Sequence, residues 1–435
     1  MINNFKLIRA DEYTIAFHCD TLQIYRIDKH TESNAFIDVL NNGMVKLSEH
    51  NKIGKEILDN IKENQLGGAL CCEELKNEDI SLQTVVLPIS GDCNLHCSYC
   101  FARTTSKGFG FKDMSFTDIE KNIDYILKNS SREAPCTLVF FGGEPMLRLD
   151  LIKHAIHYVE ENYPTRKVEY SITTNGTIVN DEIIKLLKDK EFGLLISLDG
   201  PPHITDHRRF ANGTSSFDIV MKNIKKFKAE NSRIQLRATI PSDCKDIVGL
   251  YKFFENLQIP FSVVFAYKSA NETDLSSFAH AEQQLKKQFE DLYRLYENLL
   301  KSGTAIYCQS IAESIDTLRF RRKRLYLCNA GRSFFAIANS GDIFSCEHLA
   351  YSKDFSIGNI DIGIDKEKLR KLQAPSVNNI SDCTECWAKY LCIGGCPTTK
   401  IPFKDVLSGL NEDDCFLQKE YWTFIIKLFN QLQNE

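Results

Sequence analysis

Three short alternating runs open the chain. Phe5-Lys6-Leu7-Ile8, Tyr13-Thr14-Ile15-Ala16-Phe17 and Leu22-Gln23-Ile24-Tyr25-Arg26-Ile27 carry apolar residues at nearly every second position, the period of a strand with one buried face. Helical spacing follows near Glu32–Leu40 and Ile53–Ile61, where Ile53, Ile57 and Ile61 fall at i, i+4 and i+8. Together these elements predict a small α+β unit of winged-helix type. Gly67-Gly68 and the polar stretch Glu73–Asp79 read as its linker.

From residue 84 the pattern changes to strand–helix alternation. Apolar-rich strands are predicted at Thr84–Ile89, Thr137–Phe141, Glu169–Thr173, Leu194–Leu198, Gln235–Ile240 and Phe261–Tyr267, as expected of strands buried on both faces. Helices are predicted at Thr117–Lys128, Leu149–Asn162, Asp181–Asp189, Phe217–Ala229, Asp246–Asn256 and His280–Leu300, and Thr117 with Glu120 reads as a capping box. Six such pairs imply a parallel sheet with right-handed crossovers, either doubly wound or barrel-like. Polar or Gly-rich segments follow four strands: Cys93 onward, Gly142-Gly143-Glu144-Pro145, Thr174-Asn175-Gly176 and Asp199-Gly200-Pro201. Loops at strand C-termini converge on one mouth in a barrel, so the predicted fold is α/β, a partial (β/α)6 barrel. The expected domains are residues 1–80, the barrel at 81–305, and a Cys-rich unit at 306–435 that folds around metals because it lacks apolar content for its own core.

Charge and composition exclude several classes. Lys and Arg number 53 against 58 Asp and Glu, a net charge of −5, which supplies no basic field for nucleic acid or an anionic membrane. A hydrophobic share of 43% argues against disorder. No run approaches the ~20 apolar residues of a membrane span, and the start MINNFKLIRADEY does not read as a signal peptide, so a cytoplasmic protein is expected. The exception to this ordinary composition is cysteine, with 16 residues. Cys19, Cys71, Cys72, Cys136, Cys244 and Cys308 are scattered, whereas the others fall into two groups. In a reducing compartment, thiols clustered at short spacings point to metal ligation rather than disulfides.

The first group is Cys93-Asn-Leu-His-Cys97-Ser-Tyr-Cys100, a C-x3-C-x2-C loop directly after the first barrel strand. Three thiolates leave one corner of a four-iron cluster open, and an amine with a carboxylate, such as the backbone end of methionine, could fill it; a zinc loop is the other reading. With Tyr99 in the aromatic place, the motif resembles that of the radical S-adenosylmethionine (SAM) superfamily. The resemblance implies a 4Fe–4S cluster that binds SAM through its unique iron. One electron would then yield methionine and a 5′-deoxyadenosyl radical that abstracts a substrate hydrogen. It also implies that Gly142 and Gly143 let the backbone approach the ligand and that Glu144 accepts from the methionine ammonium. Asn175, Ser197 and Asp199 match loops that hold ribose and carboxylate, and Arg208, Arg209 or Arg237 could neutralise the carboxylate.

The second group comprises Cys328, Cys346, Cys383, Cys386, Cys392, Cys396 and Cys415, with Gly341 between the first two. Seven thiols exceed one tetrahedral zinc site, although paired C-x2-C units keep a zinc ribbon open. The spacing resembles the SPASM extension of peptide-modifying radical SAM enzymes, which implies two auxiliary 4Fe–4S clusters. By position, Cys383, Cys386, Cys392 and Cys415 would hold one, and Cys328, Cys346 and Cys396 three corners of the other. Where sulfatase maturases carry a further cysteine, this chain has Arg322, a departure. Cys308 is the candidate replacement; otherwise the iron stays open, which would suit a substrate thiolate and sulfur cross-linking. Glu347, directly after Cys346, is the candidate general base.

The N-terminal unit resembles the leader-recognition element of ribosomal-peptide (RiPP) maturases, which binds a leader as an added strand. The function expected is therefore radical formation of a thioether or carbon–carbon cross-link in a precursor peptide, with a flavodoxin- or ferredoxin-type electron donor. An anaerobic sulfatase-maturing enzyme and a non-catalytic zinc adaptor are the alternatives.

Overall fold

The structure is a computed structural model. It describes residues 4–10, 12–28, 36–39, 44–47, 52–65, 80–100, 112–204, 208, 210–230, 233–240, 244, 246–265, 282–350, 352–373, 375–396, 398 and 412–433. Its N-terminal part is an antiparallel sheet of β1 (Phe5–Arg9), β2 (Tyr13–His18), β3 (Ile24–Asp28), β4 (Phe36–Val39) and β5 (Val45–Leu47), in the order β3-β2-β1-β5-β4, followed by helix α1 (Lys52–Gln65). The first three strands and the second helix follow the sequence pattern. Residues 36–39, expected within a helix, are instead a strand paired with β5 (Phe36↔Leu47, Val39↔Val45). Ile37 and Val39 are β-branched, and cross-strand pairing outweighs a weak helical period in so short a segment. The expected linker at Gly67–Asp79 lies outside the described residues.

Alternation gives this sheet two buried faces. Phe5, Ala16, Ile27 and Val45 pack on Ile57, Leu58 and Ile61 of α1. On the other face Ile8, Ile15, Phe17, Cys19 and Leu22 join the main core of the molecule.

The barrel consists of β6 (Thr84–Ser90), α2 (Phe116–Asn129), β7 (Cys136–Gly142), α3 (Leu149–Asn162), β8 (Val168–Thr174), α4 (Asp181–Asp189), β9 (Gly193–Ser197), α5 (Phe217–Glu230), β10 (Ile234–Ile240), α6 (Ile247–Leu257) and β11 (Phe261–Phe265). Its strands are parallel and stand in sequential order from β6 to β11. A doubly wound sheet would reverse its order at a switch point; this one does not, so all strand C-termini share one mouth. Along β10, Leu236, Ala238 and Ile240 are buried and the intervening residues are half-buried, as a helix-covered outer face and a more open inner face require. The capping box of α2 is Ser115 with Asp118, two residues earlier than expected, because Phe116 already belongs to the helix.

The C-terminal part has more regular structure than its sequence suggests. After α7 (Glu282–Lys301) and α8 (Gln309–Arg319), β12 (Phe334–Ile337) pairs parallel to β6 and carries the sheet on through β13 (Asp342–Phe344), β14 (Gly358–Asn359) and β15 (Gly363–Ile364). Helices α9 (Lys366–Leu372), α10 (Lys389–Cys392) and α11 (Glu412–Gln433) complete the chain. Trp422, Phe424, Ile425, Ile426 and Leu428 of α11 are buried, so this region takes its core from the barrel rather than from metals alone. It also meets the N-terminal sheet. Trp387 packs edge-on against Phe17 (ring centroids 6.2 Å apart), Lys6 Nζ lies 5.6 Å from the same ring, and Asn430 Nδ2 donates to Tyr13 Oη at 3.1 Å. No helix among the described residues is long and apolar enough to cross a membrane.

Phe17 is fully buried at this junction. Phe17→Ala is expected to cost about 3–5 kcal/mol, the usual range for emptying an aromatic core site. Denaturant titration should show it as a lowered midpoint; a change below about 1 kcal/mol would mean that the junction is loosely packed.

Candidate functional site

The loop after β6 carries Cys93, Cys97 and Cys100, and its position is set by the loop after β7. Gly143 N–H donates to Ser90 O and Glu144 N–H to Asp92 O, both at 2.8 Å. A Cβ on Gly142 would lie 2.3 Å from Ser90 O, and one on Gly143 would lie 2.1 Å from Asp92 O. Gly142 also has φ +130°, where L side chains are strained. These glycines therefore bring one backbone against another. Beside the expected approach to a ligand, they make an approach to the cysteine loop that the sequence did not indicate.

Glu144 is fully buried, and three donors converge on its carboxylate: Thr174 Oγ1 (2.7 Å), the Asn175 backbone N–H (2.7 Å) and the Met146 N–H (3.1 Å). Burial raises its pKa, and these hydrogen bonds with the Arg208 charge oppose the rise. Tyr99 Oη donates to Asp199 Oδ2 and accepts from Arg208 Nη1 at 3.3 Å, while Asp199 Oδ1 accepts from Thr239 N–H at 3.2 Å. The cysteine loop is thus fastened to the β7 and β8 loops on one side and to β9 and β10 on the other. Arg208 Nε has no partner among the described residues. Arg209 lies outside the described residues.

Other expected residues are placed as follows. Ser197 closes β9 opposite Arg237 of β10. The Arg237 charge reaches His348, whose pKa is lowered mainly by burial. Cys346 and Cys100 pack against one apolar cluster that includes Val86, Ala336 and Phe344, which brings the two cysteine groups to a common wall. Cys346 Sγ lies 3.1 Å from Glu347 Oε2. Burial raises the pKa of Cys396, and Cys328 and Asp414 add to the rise. Burial likewise pushes Cys415 up to about 11, with Asp414, Cys383 and Cys386 adding to it and Lys419 opposing. Cys392 is raised by burial, then by Asp414, Cys415 and Cys386.

Cys308 does not join these thiols. It is fully buried at the start of α8, where its N–H donates to Glu255 Oε1 (3.2 Å) and its sulfur lies 3.3 Å from Ser310 Oγ. It bridges to Phe261, the first residue of β11, at the end of the barrel away from the mouth. Its 20-residue separation from Cys328 is taken up largely by α8, which carries the chain past the barrel. Residues missed in the sequence include Asn94 and Thr177; only the place of Asn94 inside the cysteine motif could have signalled one of them.

The donor set fits an iron–sulfur cluster: soft thiols, none joined to another described cysteine in a disulfide, and three on one loop. Among the described residues no three His, Cys, Asp or Glu side chains converge enough to hold a single metal ion. Residues 87–243, from β6 through β10, match the family model described as Radical SAM superfamily. The barrel of this chain is a radical SAM domain. The family binds a 4Fe–4S cluster and SAM. A cysteine-type anaerobic sulfatase-maturating enzyme of Clostridium novyi (strain NT) is 29% identical over 343 residues, 74% of this chain and 89% of that protein. The solved structure of native anSMEcpe with bound AdoMet aligns with TM-score 0.67 at 20% identity, covering 81% of this chain and 98% of that one. Streptococcus suis SuiB bound to precursor peptide SuiA aligns with TM-score 0.52 at 15% identity, covering 94% and 99%. At these identities the two structures establish likeness of fold.

Burial pushes the Cys97 thiol up to about 11; Arg208 opposes this, and Asp199, Cys100 and Cys93 add to it. A raised pKa keeps the thiol protonated below that value, so in cluster-free protein at pH 8 the thiolate fraction is on the order of a thousandth. Iodoacetamide labelling of Cys97, followed by mass spectrometry, is expected to rise about tenfold per pH unit up to about pH 11. A plateau by pH 9 would contradict this. Gly143→Ala is expected to displace the cysteine loop and lower the iron bound after anaerobic reconstitution, which iron analysis checks.

Proposed function

We propose that this radical SAM enzyme matures a ribosomally made precursor peptide, forming a thioether or carbon–carbon cross-link. The observation that carries this reading is the N-terminal sheet. Its terminal strands in the described sheet, β3 and β4, each have one strand neighbour, so a leader peptide could add as a further strand. Its opposite face is fused to the cysteine-bearing extension through Phe17 and Trp387, which would hold a bound leader in fixed relation to the barrel mouth. The likeness to SuiB over 94% of this chain supports the reading at the level of fold.

Cys93, Cys97 and Cys100 are the residues assigned to hold the SAM-binding cluster. When bound, that group supplies an electron to SAM and the radical that takes a hydrogen atom from the substrate. Glu144 and Arg208 Nε are assigned to the amino and carboxylate ends of SAM, and Asp199 and Thr239 steady Tyr99 beside them. Cys383, Cys386, Cys392 and Cys415 are assigned to one auxiliary cluster, and Cys328, Cys346 and Cys396 to another. With Cys308 buried elsewhere, no fourth thiol joins the three-thiol set among the described residues, and an open corner there would suit a substrate thiolate and the thioether. Glu347, beside Cys346, is assigned to accept the proton released as the substrate is oxidised.

A second reading, formylglycine formation on a sulfatase, is favoured by the 29% identity to the Clostridium novyi enzyme over most of that protein's length. Mass spectrometry separates the two. A precursor peptide encoded beside this chain is expected to lose two hydrogens per cross-link when incubated with reconstituted enzyme, SAM and dithionite. No change in any such peptide, with conversion of a sulfatase Cys or Ser, would establish the second reading instead. Zinc without iron in the reconstituted protein would remove both.

A further inference from the structure

Asn175 sits on the loop after β8 with only 7% of its surface exposed. Its side chain is locked in a ring of three residues. Oδ1 accepts from the Thr177 backbone N–H (2.9 Å) and from Thr177 Oγ1–H (2.7 Å). Nδ2 therefore faces away from Thr177; it donates to Asn94 Oδ1 at 2.8 Å and lies 3.7 Å from Cys93 Sγ. Asn94 Nδ2 donates to Thr177 Oγ1 at 2.8 Å and closes the ring. Flipping the Asn175 amide would point an NH2 group at the Thr177 N–H, so the network fixes which end meets the sulfur. The Asn175 backbone N–H is engaged too, on Glu144 Oε2. A second N–H, from Leu95, approaches Cys93 Sγ at 3.4 Å.

We propose that Asn175 is a positioning residue for the Cys93 sulfur, acting on the cluster bound there rather than contacting the nucleotide. Both amide hydrogens and the amide oxygen are taken up inside the protein, which leaves none to offer a ribose. An N–H aimed at a thiolate sulfur stabilises the extra negative charge of the reduced cluster and so raises its reduction potential. Asn94 and Thr177 orient the amide, and through it the β8 loop bears on a cysteine 82 residues earlier in the chain. The inference rests on the assignment of Cys93, Cys97 and Cys100 to the SAM-binding cluster.

The test uses full-length, anaerobically reconstituted protein: wild type, Asn175→Ala and Thr177→Val. A redox titration follows by electron paramagnetic resonance the signal that changes on adding SAM, and equilibrium dialysis measures SAM affinity. In Asn175→Ala the midpoint should move to more negative potential while SAM affinity changes by less than about threefold. Thr177→Val, which removes only a partner that orients the amide, should shift the midpoint the same way by less. If Asn175→Ala assembles no cluster, Thr177→Val decides alone. An unchanged midpoint overturns the proposal, as does a loss of SAM affinity of about tenfold or more, which would mean that the amide contacts the nucleotide. A wild-type protein with no SAM-responsive signal would instead overturn the cluster assignment beneath it.

Discussion

The contact of the Gly142-Gly143 backbone with the carbonyls of Ser90 and Asp92 sets the geometry on which the barrel mouth depends. Two hydrogen bonds of 2.8 Å join the turn after β7 to the first residues of the cysteine loop, and neither glycine has room for a side chain. Each bond is worth about 1 kcal/mol net, so the contact does little for global stability. Its consequence is positional: Glu144 follows directly and enters the core at a fixed depth, where Thr174 and Asn175 meet it. Tyr99, Asp199 and Arg208 close the opposite side. A loop of three cysteines is thereby held between neighbouring strand ends.

The two outer parts of the molecule are built onto this frame rather than hung from it. Strand β12 continues the barrel sheet at β6, the strand that leads into the cysteine loop, so Cys346 and Cys100 share one apolar wall. The N-terminal sheet lies against α11 and Trp387, and Trp387 is the residue after Cys386. On the proposed function, a peptide held at the edge of that sheet would thus sit on elements packed against those that carry the cysteines. Such an arrangement lets one enzyme act on a particular residue of a long, otherwise flexible substrate, because orientation is supplied by binding far from the reacting atoms.

Much of this was legible in the sequence, and the physical reason is periodicity and spacing. Six apolar strands alternating with amphipathic helices leave few topologies open, and thiols at C-x3-C-x2-C have few uses other than metal ligation. The misses share a different cause: they depend on what a residue meets across the fold. Residues 36–39 became a strand because β5 lies beside them. Cys308 looked available by sequence distance, but α8 carries the chain past the barrel and leaves that thiol among Glu255, Ser310 and Tyr296. Gly142 and Gly143 were readable as places of close approach, but their contact with the backbone of Ser90 and Asp92 was not. For Asn175 the sequence offered a loop position, and only the ring with Asn94 and Thr177 reveals which way its amide points.

The proposed function places SAM cleavage at the loop bearing Cys93, Cys97 and Cys100 and assigns the C-terminal thiols to separate centres. The most direct test is the variant with all three replaced by Ala, reconstituted anaerobically and assayed by chromatography for 5′-deoxyadenosine after addition of SAM and dithionite. This variant is expected to retain the iron of its C-terminal thiols and to release no 5′-deoxyadenosine above the enzyme-free background. Release at the wild-type rate would contradict this assignment.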